Sequence, residues 1–542
     1  MAFTRAKEDR PTPPEVYNYR VYLIAFSCCL GSWMFGYNNG VIGGTIVLPS
    51  FERDFHLPPI GSSRYDNITS NIISFLQIGG LVGAMSTFPC VKYLGRKRAL
   101  NALAAVGVVG AVIQTFSAGR LALMYVGRAI SGVALGGATV VIPLYLAELS
   151  PPAIRGSIVG IYEINNQLSG LVGYWCNYIV NHYISSTSSR QWQIPLAMQI
   201  IPAALLLLTS LTVMPESPRF LVNQNKTAQA RRVLAYIRHL DQDHEYISSE
   251  IRDFETAKRE LEKGRTGERF AMLRELTWKG NRNRVIIGVF LMVGQNLTGI
   301  NGVNFYTPTI FRAIGFRGTN NVLLASGMYA VAKTLATLTS LIFFIDRAGR
   351  RKLLITSAIG ASVSLWYIGG YATAANITLT SSTSSGQEQG DTSSIPAAGW
   401  VAIVALYIYA ASFSIAWNGV VWIYCSEIFR ARIKDLAVCL TTFTQWLSQF
   451  AVARASPYML SSLRGGFFFF FAACTALMTV IVYLWVPETK GRSLESMDAV
   501  FGVPVRSAAA SVLDQPQHPD LEVGEGKRDD EMGVRRVPEL VL

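Results

Sequence analysis

The sequence predicts an all-α membrane protein with twelve transmembrane helices arranged in two six-helix bundles. Half of the 542 residues are hydrophobic and only 15% are charged, whereas about 25% of the residues in a typical soluble domain are charged. The charges fall in short clusters between long uncharged runs, and twelve of these runs reach the roughly 20 residues that a helix needs to cross the hydrocarbon. The runs are continuous and do not alternate with polar residues, which favours helices over barrel strands.

The first six predicted spans form an N-terminal bundle within residues 21–214, and the last six form a C-terminal bundle within residues 285–487. The N-terminal spans are 21–48, 67–90, 99–118, 121–147, 155–181 and 194–214. The C-terminal spans are 285–312, 320–345, 353–375, 398–425, 435–458 and 465–487. The first apolar run is too long for the core of a signal peptide, so we expect it to remain as a span.

Basic residues cluster in alternate loops, and this pattern assigns those loops to the cytoplasm. The same side holds residues 1–20, a linker of amphipathic helices at 215–284 and a polar tail at 488–542, which we expect to be disordered. The net charge of +13 follows from these loops and does not indicate nucleic-acid binding. We expect a monomeric, multi-pass protein of the plasma membrane that contacts lipid and a small-molecule substrate.

No sequence feature indicates an enzyme, a cofactor or a metal site. The seven cysteines lie in or beside apolar runs, and no pair has ligand spacing beside histidines. A phosphate-binding glycine loop and a nucleophile elbow are absent from the sequence. Gly132, Gly136 and Gly137 in span 4 indicate close helix packing instead.

Several motifs occur once in each half of the chain. Leu94-Gly-Arg-Lys-Arg98 matches Ala348-Gly-Arg-Arg-Lys352, Glu148 matches Glu427, and the Pro-Glu pair at residue 215 matches the pair at residue 487. Many transporters are built from two such halves, with a site between the bundles near the midplane of the membrane.

These motifs resemble those of the sugar porter family of the major facilitator superfamily, over residues 15–495. The resemblance rests on Gly127-Arg128, Pro143-Leu-Tyr-Leu-Ala-Glu148, Arg155-Gly156, Pro215-Glu-Ser-Pro-Arg-Phe-Leu221, Gln295-Asn-Leu-Thr-Gly-Ile-Asn301, Asp346-Arg-Ala-Gly-Arg-Arg351 and Pro487-Glu-Thr-Lys-Gly491. The opening at residues 8–20 and the stretch Gly160-Ile-Tyr-Glu-Ile164 resemble the fungal quinate permease branch.

The resemblance implies the major facilitator fold and a secondary transporter that opens alternately to each side. The expected activity is import of a monosaccharide, a polyol or a quinate-like acid, coupled to a proton gradient. The alternatives are a facilitative uniporter, a non-transporting nutrient receptor and an exporter of a polyhydroxylated metabolite.

The charged motif residues imply a gate on the cytoplasmic face, where acids and arginines pair while the outside is open. The predicted gate residues are Arg96, Glu148, Arg155, Glu216, Asp346, Arg350, Glu427, Arg432 and Glu488. The alternative is that these charges serve only topology and solubility. Lys92 stands where the family usually has an acidic residue, which weakens the first half of the gate.

Amides and indoles inside the spans are the side chains that bind polyhydroxylated solutes, because they hydrogen-bond to hydroxyls or stack on a ring without trapping the ligand by charge. The family resemblance assigns this role to Gln295, Asn296, Asn301, Trp422 and Trp446, and the sequence adds Gln445 and Gln449 on span 11 and Gln167 on span 5. The alternative for a membrane amide is a hydrogen bond between helices.

Two ionisable residues lie well inside the spans, where a charge costs about 3 kcal/mol on insertion scales and so needs a partner or a wet cavity. Lys333 lies midway along span 8, and Glu163 in span 5 stands where sugar porters typically carry a glutamine that binds the ligand. Spans 5 and 8 adjoin in this superfamily, so we expect either a fixed ion pair or a pair for which a substrate carboxylate or a proton competes. Arg454, nearer the outer end of span 11, is expected to reach the interface with water.

The usual proton-coupling site of the family is altered in span 1. Gly36-Tyr37-Asn38 replaces the Gly-Tyr-Asp of similar proton-coupled porters, whereas the partner arginine of span 4 is retained as Arg128. An amide does not titrate. Either Glu163 has taken over proton coupling, or the protein is a uniporter.

Overall fold

The computed structural model describes residues 12–151, 154–263, 271–375, 396–429, 433–489 and 501. The regular elements in these residues are helices, with no strand among them. Twelve of the helices correspond in order to the twelve predicted spans, so the predicted fold class is confirmed. Most of the predicted tail lies outside the described residues.

The N-terminal bundle contains helices α1 to α6. They are α1 (Tyr19–Ile46), α2 (Ser63–Leu94), α3 (Arg96–Thr115), α4 (Leu121–Leu149), α5 (Arg155–Tyr183) and α6, which has two segments, Arg190–Ala197 and Ile200–Thr212. A short helix, Pro49–Asp54, lies between α1 and α2 on the predicted outer side.

The C-terminal bundle contains helices α7 to α12, two of which are interrupted. They are α7 (Lys279–Leu297 and Ile300–Ile314), α8 (Thr319–Thr339), α9 (Arg350–Ala374), α10 (Ala397–Ile415 and Val420–Ile428), α11 (Lys434–Leu463) and α12 (Gly466–Trp485). The sequence pattern did not predict the break in α7, because the hydrophobic run continues through it.

Ten of these helices are long and apolar enough to span a membrane by length and hydropathy, within the part of the chain that the structure describes. The other two, α1 and α5, have 28 and 29 residues and so exceed the length that a span requires. They carry Asn38 and Glu163, respectively, which belong to the polar centre described below.

Close packing within the N-terminal bundle depends on glycines of α2 and α4. A Cβ atom at Gly132 would lie 2.1 Å from the backbone oxygen of Leu76, and one at Gly136 would lie 2.0 Å from that of Gly80. No side chain fits at these positions, so the two backbones approach as in other small-residue contacts between membrane helices.

The two bundles meet along equivalent helices. The contacts between bundles include α1 with α7, α2 with α11, and α5 with α8. Because these pairs are related by exchange of the two halves, the interface follows the repeat seen in the sequence. The candidate site lies along this interface.

The linker between the bundles contains helices in its described residues. They are Pro218–Asn223, Thr227–Arg238, Glu245–Lys263 and Ala271–Leu276. The buried guanidinium of Arg238 donates to the backbone oxygen of Leu149 at 2.7 Å and pairs with Glu250 at 2.8 Å. The linker is therefore fastened to the end of α4.

Candidate substrate site

The breaks in α7 and α10 expose backbone groups in the middle of the C-terminal bundle. Gly299 allows the break in α7, because its φ is +85° and a Cβ atom there would lie 2.6 Å from the ring of Phe471. In α10 the helix stops at Ile415 and resumes at Val420. Transporters commonly form substrate sites at such interruptions.

Gln295 connects the two breaks. Its amide nitrogen donates to the backbone oxygens of Trp417 at 2.6 Å and Asn418 at 3.1 Å. Its buried side-chain oxygen has no hydrogen-bond partner among the described residues. This predicted ligand residue thus has one buried acceptor to spare.

A second chain of amides joins α7 to α11. Asn301 donates to the side-chain oxygen of Asn296 at 2.5 Å, and Asn296 donates to that of Gln445 at 2.8 Å. Three of the predicted ligand amides therefore bind one another, which is the arrangement that the helix-packing alternative describes.

Glu163 makes a contact between the bundles that the sequence did not predict. One of its carboxylate oxygens accepts a hydrogen bond from the side chain of Asn418, in the break of α10. The same oxygen accepts from Gln167 at 3.2 Å and from Asn166 at 3.4 Å on its own helix. Glu163 is thus surrounded by amide donors and lies beside the residues that bind Gln295.

Lys333 is held by neutral groups on the opposite bundle from Glu163. Its ammonium group donates to the side-chain oxygen of Asn304 at 3.2 Å, and the hydroxyl of Tyr329 donates to the same oxygen at 2.9 Å. The backbone oxygen of Asn304 accepts from Tyr174 of α5 at 2.8 Å.

The expected ion pair between Glu163 and Lys333 is not formed in this structure. Among the described residues, the ion pairs within 4.0 Å do not include either side chain. Each charge instead has a neutral amide on a neighbouring helix as its near partner. Asn304 was missed, although an amide three residues after Asn301 on an apolar helix was a signal that would have found it.

The predicted tryptophans lie in different surroundings. Trp446 is buried, donates to the Thr139 hydroxyl at 3.3 Å and packs an edge against Phe35 at 5.7 Å, so it joins α11 to the N-terminal bundle. Trp422 is partly exposed in the second segment of α10. Gln449 is buried one turn after Gln445 on α11.

Asn38 and Arg128 are in contact within the N-terminal bundle. The guanidinium donates to the side-chain oxygen of Asn38 at 2.9 Å and to the backbone oxygen of Ile72 at 3.0 Å. Arg128 is fully buried. This contact replaces the pair with an aspartate that the resemblance implies, and it contains no titratable partner.

The charged motifs on the predicted cytoplasmic side form contacts within each bundle. Arg96 pairs with Glu148 at 2.7 Å. Glu216 accepts from the backbone nitrogens of Arg96 and Lys97 at 2.9 and 3.2 Å, where α3 begins. In the other half, Glu488 accepts from the backbone nitrogens of Arg350 and Arg351 at 2.8 and 3.1 Å, where α9 begins.

The remaining predicted gate residues fall outside what the structure describes. Arg432 is outside the described residues, and the side chains of Arg155, Asp346 and Glu427 are not described either. The gate therefore stays a prediction.

Comparison with known proteins places this architecture in a family. The sequence model for the family described as "Sugar (and other) transporter" matches residues 24–501. This chain belongs to that sugar transporter family. It is a multi-pass membrane protein that transports a sugar-like solute, and it is not an enzyme.

Fungal relatives of this transporter support the predicted branch. It is 37% identical over 518 residues to a quinate permease of Neurospora terricola, covering 94% of each chain. It is also 37% identical to a quinate permease of Emericella nidulans, covering 92% of each chain. The sequence resemblance to this branch is thereby confirmed.

Solved structures show the same fold. The proton:xylose symporter XylE, bound to 6-bromo-6-deoxy-D-glucose, is 25% identical and has a TM-score of 0.72, over 89% of this chain and 99% of XylE. A partially occluded, inward-open conformation of XylE from E. coli has a TM-score of 0.71, over 88% of this chain and 100% of XylE.

Proposed function

We propose that this transporter is a proton-coupled importer of a small polyhydroxylated acid of the quinate class, at the plasma membrane. The observation that carries the proposal is the state of Lys333, a cation inside the membrane that hydrogen-bonds to a neutral amide oxygen and lies beside a tyrosine ring, with Glu163 beyond ion-pair distance. A buried cation favours an anionic partner strongly, and a neutral partner is easily exchanged for a carboxylate.

The amides around Lys333 and Glu163 suit the rest of such a substrate. Gln295 has a buried side-chain oxygen without a partner among the described residues, near the breaks of α7 and α10. The amides of Asn301 and Gln167 would exchange their present hydrogen bonds for the ring hydroxyls of a substrate. The names of the fungal relatives, quinate permeases, agree with this substrate class.

Glu163 is the proposed proton carrier. Its carboxylate faces Asn418 across the bundle interface, and a proton there would cancel the negative charge that competes with an acidic substrate for Lys333. The XylE relative is named as a proton symporter, which agrees with coupling to protons in this fold.

Facilitative uniport is the second candidate. The Asn38 contact with Arg128 favours it, because the amide cannot carry a proton. The two candidates differ in one property, since only a symporter accumulates substrate above its external concentration.

Uptake of labelled quinate and labelled glucose by transporter-null fungal cells tests the substrate class. In cells that express Lys333→Asn, we expect quinate uptake to fall by about tenfold or more, as for the loss of a charge-assisted hydrogen bond. Glucose uptake, where the wild type shows it, should be largely retained.

Lys333→Arg is the matched control, because it keeps the positive charge and should keep measurable quinate uptake. Equal loss of quinate and glucose uptake in Lys333→Asn would contradict the proposal and assign Lys333 a structural role. A wild type that carries glucose but not quinate would refute the acid substrate class.

A further inference from the structure

Arg454 makes an unusual set of contacts in the outer half of the bundle interface. Its guanidinium donates from α11 to the Ser70 hydroxyl at 2.6 Å and to the side-chain oxygens of Asn71 at 2.5 Å and Asn67 at 3.1 Å. All three acceptors lie on α2 of the other bundle. The hydroxyl of Tyr458 joins the cluster by donating to Asn67 at 2.6 Å.

This arrangement adds contacts between the bundles to the expected reach of Arg454 toward water. The side chain is only partly exposed, and it spans the gap between α2 and α11. The two helices lie close enough for the long side chain to reach its neighbour, so Arg454 forms hydrogen bonds across the interface while part of its side chain stays exposed.

The acceptors of Arg454 carry no charge. Among the described residues, the ion pairs within 4.0 Å do not include Arg454. Asp66, a buried acid one residue before Asn67 on α2, is not among its partners within that distance. A guanidinium binds a carboxylate through two parallel hydrogen bonds, more strongly than it binds neutral oxygens. A carboxylate is therefore not among the groups that bind Arg454 within 4.0 Å in the described residues.

Opening of the outer side would free Arg454. Its three acceptors are all on α2, so separation of α2 from α11 breaks all these hydrogen bonds together and leaves the guanidinium facing the outer entrance. We propose that Arg454 is then an outer docking site for the carboxylate of the substrate. This inference rests on the proposed function, because it requires an acidic substrate.

The neutral acceptors give the docking site a way to release its ligand. When the carboxylate moves inward to Lys333, Arg454 regains Ser70, Asn71 and Asn67, and these hydrogen bonds close the outer side behind the substrate. A permanent carboxylate partner on α2 would compete with the substrate and would hold the entrance shut. The guanidinium of Arg454 therefore binds either the substrate carboxylate or its acceptors on α2, but not both at once.

Uptake kinetics of Arg454→Gln test this site with quinate and with its neutral methyl ester as a competitor. We expect the KM for quinate to rise about tenfold, as for a lost charge-assisted contact. The inhibition constant of the ester should change less than about twofold, since it has no carboxylate to lose. Surface abundance is measured in parallel from a fluorescent tag.

Two further variants sharpen the test. Arg317→Gln removes an exposed arginine on the same side, outside the cluster, and should leave the KM near that of the wild type. Asn71→Asp places a carboxylate beside Arg454 and should raise the KM for quinate while lowering the maximal rate, because it competes for the guanidinium and stabilises the closed outer contact.

The outcomes separate this inference from the proposed function. An unchanged KM in Arg454→Gln, or an equal loss of affinity for quinate and for its methyl ester, would overturn the docking site while leaving acid transport intact. A wild type without quinate uptake would instead refute the substrate class on which the docking site depends.

Discussion

At the scale of residues, the centre of this transporter holds two opposite charges that are not paired with each other. Glu163 is bound by the amides of Asn418, Gln167 and Asn166, and Lys333 is bound by Asn304. Because these partners are neutral, Glu163 remains available to bind a proton and Lys333 remains available to bind a carboxylate. A fixed ion pair would have to be broken at every transport cycle.

Glu163→Gln is expected to uncouple transport from the proton gradient. The glutamine keeps the size of the side chain and an acceptor for Asn418, but it cannot bind a proton at any physiological pH. Exchange of labelled for unlabelled quinate across the membrane should continue, whereas net accumulation should be lost. Retained accumulation in this variant would exclude Glu163 as the proton carrier.

At the scale of elements, the interruption of α7 depends on Gly299. A left-handed backbone costs a non-glycine residue roughly 1–2 kcal/mol, and a Cβ atom there would also contact Phe471 at 2.6 Å. Gly299→Ala should therefore lower the unfolding temperature of the purified protein and slow transport.

Gly318→Ala is the matched control for this prediction. Gly318 also has a positive φ, of +77°, but a Cβ atom there would meet nothing within 4 Å. The Gly318→Ala variant should lose only the stability that a left-handed backbone costs an alanine. Gly299→Ala should therefore be the less stable of the two variants. Equal unfolding temperatures would show that the contact with Phe471 is relieved without cost.

At the scale of the whole molecule, the two halves of the chain share a helix-capping contact as well as a sequence motif. Glu216 caps the start of α3, and Glu488 caps the start of α9 in the same way. Gly95 and Gly349 precede these helices with φ of +90° and +87°, and each lies against its glutamate. A carboxylate at the start of a helix satisfies free N–H groups and the helix dipole.

The folding stability of the protein should depend on pH through Glu52, which lies at the outer contact between the bundles. Arg312 of α7 lies 3.9 Å from this carboxyl, on the short helix after α1. Burial raises the pKa of Glu52, and the charge of Arg312 opposes that rise. The raised pKa favours the protonated carboxyl in the folded state. Glu52 therefore contributes to the free energy of unfolding at acidic pH, and this contribution is lost as pH rises through the raised pKa.

Unfolding temperatures of the wild type and of Glu52→Gln check this dependence. Between about pH 4.5, near the ordinary pKa of glutamate, and neutral pH, the wild type should lose more stability than the variant. A parallel change in both proteins would show that Glu52 does not contribute.

The sequence predicted the twelve spans because long uncharged runs leave a chain few alternatives in a bilayer. The family motifs also indicated the amides of α7, and they showed that Asn38 and Arg128 stand at positions that are partners in similar porters. The sequence did not predict that Asn304 and Asn418 hold the two central charges, or that Arg454 reaches α2. These partners depend on the register between helices, which packing determines and hydropathy does not report.

Reconstitution of the purified protein into liposomes tests the central proposal most directly. With an acidic exterior and labelled quinate outside, we predict accumulation above the external concentration, which collapses when a protonophore is added and is lost in Glu163→Gln. Uptake that stops at equal concentrations, with or without the protonophore, would contradict proton symport and establish a facilitator.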